Sequence, residues 1–222
     1  MRNLIIRLSL PICIIVLVLF SAASRAQELS AASFFKSDTV PALYLGIDFT
    51  KAKLINDENS KAGIIQEKQF NGINDLMIKE SKKYDFQGAF RRKYWEVDIS
   101  EVEKRNQQVD PSELLSFNDS DLHWMKKYDV DTLVSGFNFG NHKGYGILLI
   151  AEGMNKSKRL MTVWYTLIDM DQKKVLLASL LQGGVIGGFG FRNYWASAIN
   201  STIIYIDNKC YRDWKDRFCR NK

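Results

Sequence analysis

Cysteine, histidine and proline are scarce in this sequence. Its 222 residues include 3 cysteines, 2 histidines and 3 prolines. So few cysteines exclude a small fold held together by many disulfides, and no Cys/His spacing typical of zinc sites occurs. Four aspartates near predicted turns do not match the spacing of a calcium loop either: Asp129, Asp131, Asp169 and Asp171. We therefore expect no metal site.

Motifs for covalent catalysis are also missing. The sequence contains no Gly-x-Ser-x-Gly nucleophile motif. His123 lies in a predicted helix and His142 in a glycine-containing turn, and neither cysteine has a histidine near it in the sequence. We therefore predict no catalytic residues and no cofactor, and we lean towards a protein that is not an enzyme.

The composition is that of a folded protein. Hydrophobic residues make up 46% of the chain, charged residues 25% and aromatic residues 12%, which excludes a disordered or collagen-like chain. The length suits one domain, or at most two small ones, with a substantial core.

The one long apolar run lies at the N-terminus and predicts a secretory signal over residues 1–26. Arg2 and Arg7 precede the nearly unbroken apolar stretch Leu8–Phe20. Small residues then stand at the positions that signal peptidase inspects, Ser24 and Ala26. An uncleaved membrane anchor is the alternative, because Leu8–Ala23 approaches the length of a bilayer span. Pro11 and the small residues favour cleavage, after which no integral membrane segment is expected.

The positive charge of the chain is concentrated at its two ends. The formal net charge is +6, but residues 1–26 contain three arginines and no acidic residue. Residues 208–222 form a basic tail with six basic and two acidic residues, which leaves 22 basic and 23 acidic residues between them. We therefore expect weak contact of the tail with anionic surfaces and no nucleic-acid binding, and we interpret Arg91-Arg92-Lys93 as a solvated strand edge.

Cys210 and Cys219 are the cysteines that remain after cleavage, and in an oxidising compartment they are candidates for a disulfide. Along an unbroken helix they would be about 13.5 Å apart, which is too far for a bond. A disulfide therefore requires a turn between Arg212 and Arg217. Two free thiols on a frayed tail are the alternative.

Hydrophobic periodicity predicts an α/β (α+β) fold with a mixed sheet of about six strands and helices packed on it. The sheet ends in an antiparallel four-stranded meander, because short polar gaps separate the apolar runs of the second half. The predicted strands cover residues 42–49, 93–99, 132–139, 145–152, 160–170 and 175–182, and the main predicted helices cover about 64–83 and 191–207. We assign residues 27–39 to a flexible lead and 40–207 to a single domain.

Two segments carry a resemblance to a known family. Residues 150–156 (IAEGMNK) and 187–196 (GGFGFRNYWA) flank a strand that ends in Leu167-Ile168-Asp169-Met170. This combination resembles a family of exported Bacteroidetes proteins over roughly residues 40–207, which implies a Gram-negative periplasmic or outer-surface location but no activity. At the level of fold, the pattern is similar to curli-secretion lipoproteins, penicillin-binding-protein activators and the N-terminal domain of TolB. The chain differs from the lipoproteins because it lacks a lipidation cysteine.

The glycine-rich turn 183–193 is the strongest candidate for a binding site. Glycines let backbone amides approach a ligand, and a following helix offers free N–H groups that could hold an anion beside Arg192. A tight structural turn is the alternative, since no parallel βαβ unit follows. The predicted binding residues are Glu152, Lys156, Gly188, Gly190, Arg192, Asn193 and Trp195.

Each of the other predicted residues also has a simpler interpretation. Glu152 and Lys156 could form a surface ion pair in a hairpin, and Trp195 could belong to the core rather than to a binding surface. The leading hypothesis is a non-catalytic exported envelope protein that binds an envelope partner through the meander edge or through the corner of glycines, Arg192 and Trp195. The alternative hypothesis is a small-ligand binder or small enzyme that uses the glycine-rich turn.

Overall fold

A computed structural model describes residues 29–220, so the predicted signal over 1–26 lies outside the described residues. The fold is mixed α/β, as predicted, with one seven-stranded sheet and helices packed on it. Among the helices of residues 29–220, none has a stretch that is both long and apolar enough to cross a membrane.

The strands are β1 (Ala42–Asp48), β2 (Lys53–Ile55), β3 (Trp95–Val97), β4 (Leu115–Ser116), β5 (Tyr145–Asn155), β6 (Leu160–Asp169) and β7 (Lys174–Gly184). The helices are α1 (Ala31–Lys36), α2 (Ala62–Ile64), α3 (Phe70–Lys79), α4 (Phe86–Ala89), α5 (Ser100–Asn106), α6 (Lys127–Ser135), α7 (Gly190–Tyr205) and α8 (Tyr211–Cys219). π-Helical turns join α2 to α3 and α7 to α8, over Ile65–Gln69 and Ile206–Cys210, and 3-10 turns cover Pro111–Glu113 and Asp119–His123.

The central strand β5 organises the sheet. One edge of β5 pairs in parallel with β1 along its first half and with β2 along its second half. The other edge pairs with β6 in antiparallel orientation, and β6 pairs with β7. β3 and β4 continue the sheet beyond β1 and β2, both in parallel. The sheet therefore ends at β3 and β4 on one side of β5 and at β7 on the other.

Alternation along β5 divides the core between two faces of the sheet. Ile147 and Leu149 belong to a large apolar cluster, the first cluster, that includes residues of α1, α3, α7 and α8. Leu148 and Ile150 belong to a smaller one, the second cluster, with residues of α5 and α6. Helices thus cover both faces, which explains why all eleven residues of β5 are buried.

Most of the strong periodic patterns correspond to real elements. Strands near 42–49, 145–152, 160–170 and 175–182 and a helix near 191–207 are confirmed. The predicted strand over 132–139 is wrong, because α6 occupies most of that segment. Asp129 accepts a hydrogen bond from the backbone N–H of Lys126, which caps the start of α6, and this local bond outweighs the β-branched residues that follow. The meander therefore has three strands, not four.

The predicted flexible lead and separate tail are also corrected. Residues 31–36 form α1, whose Phe34 and Phe35 are buried. Phe35 stacks on Phe218 of α8 at a centroid distance of 5.8 Å and lies 5.4 Å from the ring of Tyr211. The two ends of the described chain therefore pack on each other and extend the first cluster.

Within the basic triplet Arg91 and Lys93 are exposed, but Arg92 is not part of a solvated edge. Arg92 is 4% exposed and donates hydrogen bonds to the backbone oxygens of Phe34 and Ser37 at 3.0 and 2.7 Å. A third bond reaches the hydroxyl of Tyr211 in α8. These three bonds join the lead and the tail to the domain. Burial is the largest effect on the pKa of Arg92 and lowers it.

Of the two alternatives for Cys210 and Cys219, the structure has the free thiols and not the disulfide. Cys210 and Cys219 are both free, and α8 runs without a turn between them. A helix of that length holds the two Cα atoms about 13.5 Å apart, beyond the reach of a disulfide. Cys219 instead places its sulfur 3.7 Å from the carbonyl oxygen of Ala32 in α1.

We predict that Phe35→Ala destabilises the protein by about 3–5 kcal/mol, because it empties an aromatic site shared by α1 and α8. Urea unfolding measures this difference. The exposed neighbour Lys36 provides the control, and Lys36→Ala should change the free energy of unfolding by less than about 0.5 kcal/mol. A loss equally small for Phe35→Ala would mean that residues 31–36 do not pack as described.

Candidate functional site

The glycine-rich turn is built for close packing. Gly188 has a φ of 109° and Gly190 a φ of 77°, which side chains rarely tolerate. A Cβ on Gly188 would lie 2.4 Å from the backbone oxygen of Asn193. Asn193 in turn donates its side-chain amide to the backbone oxygen of Phe189 at 3.1 Å. These residues therefore hold the turn that starts α7.

Arg192 joins α7 to the π-helical turn that precedes α3. Its Nε donates to the side chain of Gln69 at 3.0 Å, and its NH2 donates to the backbone oxygen of Lys68 at 3.1 Å. A Cβ on Gly72 would lie against the guanidinium of Arg192, so glycine at this position leaves room for the guanidinium to cross α3. The charged group predicted to hold an anion thus has protein partners.

Trp195 and Lys156 also contact protein groups. Trp195 is fully buried in the first cluster, at 5.0 Å from the ring of Tyr194. Lys156 places its ammonium 3.9 Å from the centroid of the Tyr194 ring. The interpretation of Lys156 as the ion-pair partner of Glu152 is therefore wrong, and Trp195 is a core residue.

Glu152 is buried in the sheet rather than exposed at a hairpin. A β-bulge between Ala151 and Gly153 places Glu152 beneath the segment that leads into α6. Its Oε1 accepts a hydrogen bond from the backbone N–H of Met125 at 2.6 Å, while Oε2 has no partner among the described residues. A Cβ on Gly153 would lie 2.6 Å from the Cα of Leu122, so glycine lets this segment approach the strand closely.

The environment of Glu152 favours its neutral form. Burial is the dominant effect and raises the pKa of the carboxyl from 4.5 to about 7, although the Met125 hydrogen bond and nearby Lys126 favour the charged form. A carboxyl with this pKa can exchange a proton near neutral pH. Glu152 is fully buried, however, so this ionisable group lies inside the protein and not at its surface.

The remaining candidate side chains hold turns and helix ends. His142 bonds Asp98 at 2.7 Å. Lys127 pairs with Asp131 at 2.7 Å, and Asp171 accepts from the backbone N–H of Gly144. Within residues 29–220, no group of three or more His, Cys, Asp or Glu side chains could hold a metal ion.

A polar cluster that the sequence analysis missed lies at the carboxyl end of β1. Asp48 is buried. Its carboxylate accepts hydrogen bonds from Nε of Arg105 at 2.6 Å and from the backbone N–H of Thr50 at 2.8 Å. Asn106 bridges the backbone of Ile47 and Phe49. A cavity of 590 Å³ lies beside Thr50 and Arg105. In the sequence, the only sign of this cluster is an aspartate at the end of an apolar strand. Both oxygens of Asp48 have partners, so the cluster anchors the β1–β2 loop.

From Val175 to Gly183 the outer edge of β7 has no strand partner among the described residues, whereas the backbone oxygen of Gly184 accepts a hydrogen bond from Ser201 of α7. β7 has eleven residues and pairs only with β6 among the described strands. From Val175 to Gly184 it contains no charged residue and no proline. Edge strands usually carry such residues or are short, because unpaired N–H and C=O groups otherwise attract other chains. β3 and β4, with three and two residues, are short.

Two exposed apolar side chains follow directly after this edge. Ile186 is 69% exposed and Phe189 is 96% exposed. Val185 between the strand and these residues is fixed by a backbone hydrogen bond to Arg159. The glycine-rich turn and the meander edge therefore form one continuous surface, the β7 surface (residues 174–189).

Neither a family model nor a curated protein matches this chain.

We predict that Glu152 makes stability depend on pH. The folded pKa of about 7 lies above the ordinary 4.5, so the unfolded chain ionises first and stability falls as pH rises from 4.5 to 7. Below pH 4.5 the carboxyl is protonated in both the folded and the unfolded state, so the free energy of unfolding is not reduced. Above pH 7 the free energy of unfolding is lower by the full amount of roughly 3 kcal/mol. Urea unfolding at pH 5 and 8.5 measures it.

The variant Glu152→Gln should be more stable than the native protein at pH 8.5 and lose most of that advantage at pH 5. Exposed Glu58 supplies the control, since Glu58→Gln should follow the native profile. If Glu152→Gln also follows the native profile between these pH values, the carboxyl is already ionised in the folded protein.

Proposed function

We propose that this protein is a non-catalytic cell-envelope protein that binds an extended segment of another envelope protein along β7. The observation that carries the proposal is the outer edge of residues 175–183, which has no charged side chain and no strand partner among the described residues. Addition of a strand to such an edge is a common mode of peptide recognition, in which main-chain hydrogen bonds supply affinity and side chains supply specificity.

The contrast between the strands at the ends of the sheet supports this assignment. β3 carries Glu96 and is three residues long, so it offers few pairing positions. β4 has only two residues. β7 carries a charge only at its first residue, Lys174, and a bulge at Leu176, so the regular run from Leu177 to Gly183 is long and uncharged. Such an edge is unfavourable for a protein that must stay monomeric unless the edge has a partner. A partner strand would satisfy its outward backbone groups.

The composition of β7 sets the chemistry of the partner. Residues 175–184 read VLLASLLQGG, so an incoming strand meets apolar and small neutral side chains. A charged partner strand would lose hydration without gaining an ion pair. We therefore expect a neutral segment with Val, Ile, Leu or Thr at alternate positions, since these side chains suit a half-buried strand.

Phe189 gives this surface an anchor. An exposed aromatic ring at the end of the edge can pack on the partner after the backbone has paired, and buried aromatic side chains dominate many interfaces. Arg192 contributes by holding the start of α7 in place through Gln69. In this proposal the glycine-rich turn supports the interface, and a small-ligand site in the turn is not favoured, because Arg192 already has protein partners.

The location in the envelope rests on the sequence. Residues 1–26 have the charge, apolar run and small residues of a secretory signal. The resemblance to exported Bacteroidetes proteins is consistent with that location. Export would place the β7 surface where it can meet other envelope proteins.

We predict that neutral β-forming peptides selected from a random library bind the purified protein and slow the exchange of backbone amides in β7. Leu180→Lys should weaken such a peptide by at least about tenfold, because it introduces a charge on the pairing edge, and Phe189→Ala should weaken it by a similar factor. Titration calorimetry and amide hydrogen exchange measure the two effects.

Phe117→Lys is the matched control, since Phe117 is 70% exposed but lies after β4, at the other end of the sheet. This variant should bind the peptide as the native protein does. Selected peptides that are charged, that protect amides outside β7, or that bind Leu180→Lys unchanged would contradict the proposal. A native protein that is already a dimer through β7 would contradict it as well.

A further inference from the structure

A second site lies at the carboxyl end of β1, on the other side of β5 from the β7 surface. The chain continues from β1 and β2 into α3 on one face of the sheet, whereas it continues from β3, the parallel neighbour of β1, into α5 on the other face. In open α/β sheets, ligands bind beside the carboxyl ends of strands where the connections pass to opposite faces. The cavity of 590 Å³ beside Thr50 and Arg105, the Arg105 cavity, lies at this end of β1.

Arg105 lines this cavity with a guanidinium that the protein holds in place. Its Nε donates to the buried carboxylate of Asp48 at 2.6 Å, and its Cζ lies over the ring of Phe137, 5.4 Å from the centroid. The side chain of Arg105 is 21% exposed. Among residues 29–220 its two terminal nitrogens have no hydrogen-bond acceptor, and neither belongs to the buried unpaired atoms. One edge of the guanidinium is thus fixed, and the other edge is open to a ligand.

The other charges at the cavity do not compete for the open edge. Glu113 pairs with Lys53 at 3.4 Å. Asp110 accepts hydrogen bonds from the backbone N–H and the hydroxyl of Ser112, at 2.8 and 2.7 Å. Lys51 also lines the cavity, is exposed and forms no ion pair with residues 29–220. An anion in the cavity would therefore meet this ammonium as well as the open edge of the guanidinium.

The remaining wall of the cavity is apolar. Ala52, Val109 and Leu114 line it and are 4%, 7% and 1% exposed. The indole of Trp124, which is half-buried, completes this wall. A cationic side and an apolar side in one cavity of this volume suit a small molecule with an acidic group and an apolar body.

We infer that the Arg105 cavity binds a small carboxylate with an apolar body. The two carboxylate oxygens accept parallel hydrogen bonds from the two terminal nitrogens of Arg105, a geometry that a planar guanidinium matches. The apolar body packs against Leu114 and Trp124. The site goes beyond the proposed function and is independent of it, because β1 and β7 lie on different sides of β5.

Benzoate, benzamide and acetate test the inference. Benzoate and benzamide share a ring and differ in the charge of the head group, whereas acetate has the carboxylate without the ring. In titration calorimetry at neutral pH, the native protein should bind benzoate at least about tenfold more tightly than benzamide, because the bonds to Arg105 are then charge-assisted. It should also bind benzoate about tenfold more tightly than acetate, because the ring buries apolar surface.

Two variants and a matched control locate the site. Arg105→Lys keeps the positive charge but has no second terminal nitrogen, so it should lose the preference for benzoate over benzamide. Lys51→Gln should weaken benzoate by about threefold, as expected for an exposed charge. Lys104→Gln makes the same change at an exposed lysine that does not line the cavity, and this control should bind benzoate as the native protein does.

Nuclear magnetic resonance of the native protein supplies a test that needs no variant. Benzoate should shift the Nε–H resonance of Arg105 and the indole N–H resonance of Trp124. This measurement decides if Arg105→Lys does not fold, which urea unfolding would reveal, since Arg105 also holds Asp48. Equal affinity for benzoate and benzamide, an unchanged preference in folded Arg105→Lys, or shifts that miss both resonances would overturn the inference. Failure to bind benzoate, or tighter binding of inorganic phosphate, would overturn it too.

Discussion

The burial of β5 on both faces and both edges is the constraint on which the rest of the structure depends. A strand inside the protein must have all its backbone groups paired, and β5 achieves this with β6 on one edge and with β1 and β2 in succession on the other. Helices of the two apolar clusters cover its faces. The short loop between β1 and β2 must then leave the sheet beside the middle of β5, which is where Asp48 and Arg105 hold it.

The same arrangement decides what remains available for binding. Because β5 occupies the centre, the sheet ends at short strands on one side and at the long β7 on the other. The short side closes with an aromatic wall around Tyr44, while on the long side the outer edge of β7 from Val175 to Gly183 has no strand partner among the described residues. Arg92 and the aromatic packing of α1 on α8 stabilise the domain away from β7.

Much of the fold could be predicted from the sequence, because its long strands are runs of apolar, β-branched or aromatic residues and the gaps between them are polar. β2 and β4 are too short for any period to show, and α6 depends on a cap at Asp129 rather than on periodicity. The sequence placed Glu152 at the end of a strand, where a surface ion pair with Lys156 was the simpler interpretation, and its burial was not predicted. A bulge and a covering segment 27 residues earlier then complete its burial, and neither leaves a local signal. Arg192 and Gln69 are likewise brought together only by the fold.

Hydrogen exchange of the β7 amides in the free protein tests most directly whether this edge is open. An open edge protects every second amide of β7, those bonded to β6, while the amides between them exchange with rates close to those of an unfolded chain. β6, paired on both edges, should be protected throughout. Protection of all β7 amides in the free protein would show that the edge is already covered and would contradict the account.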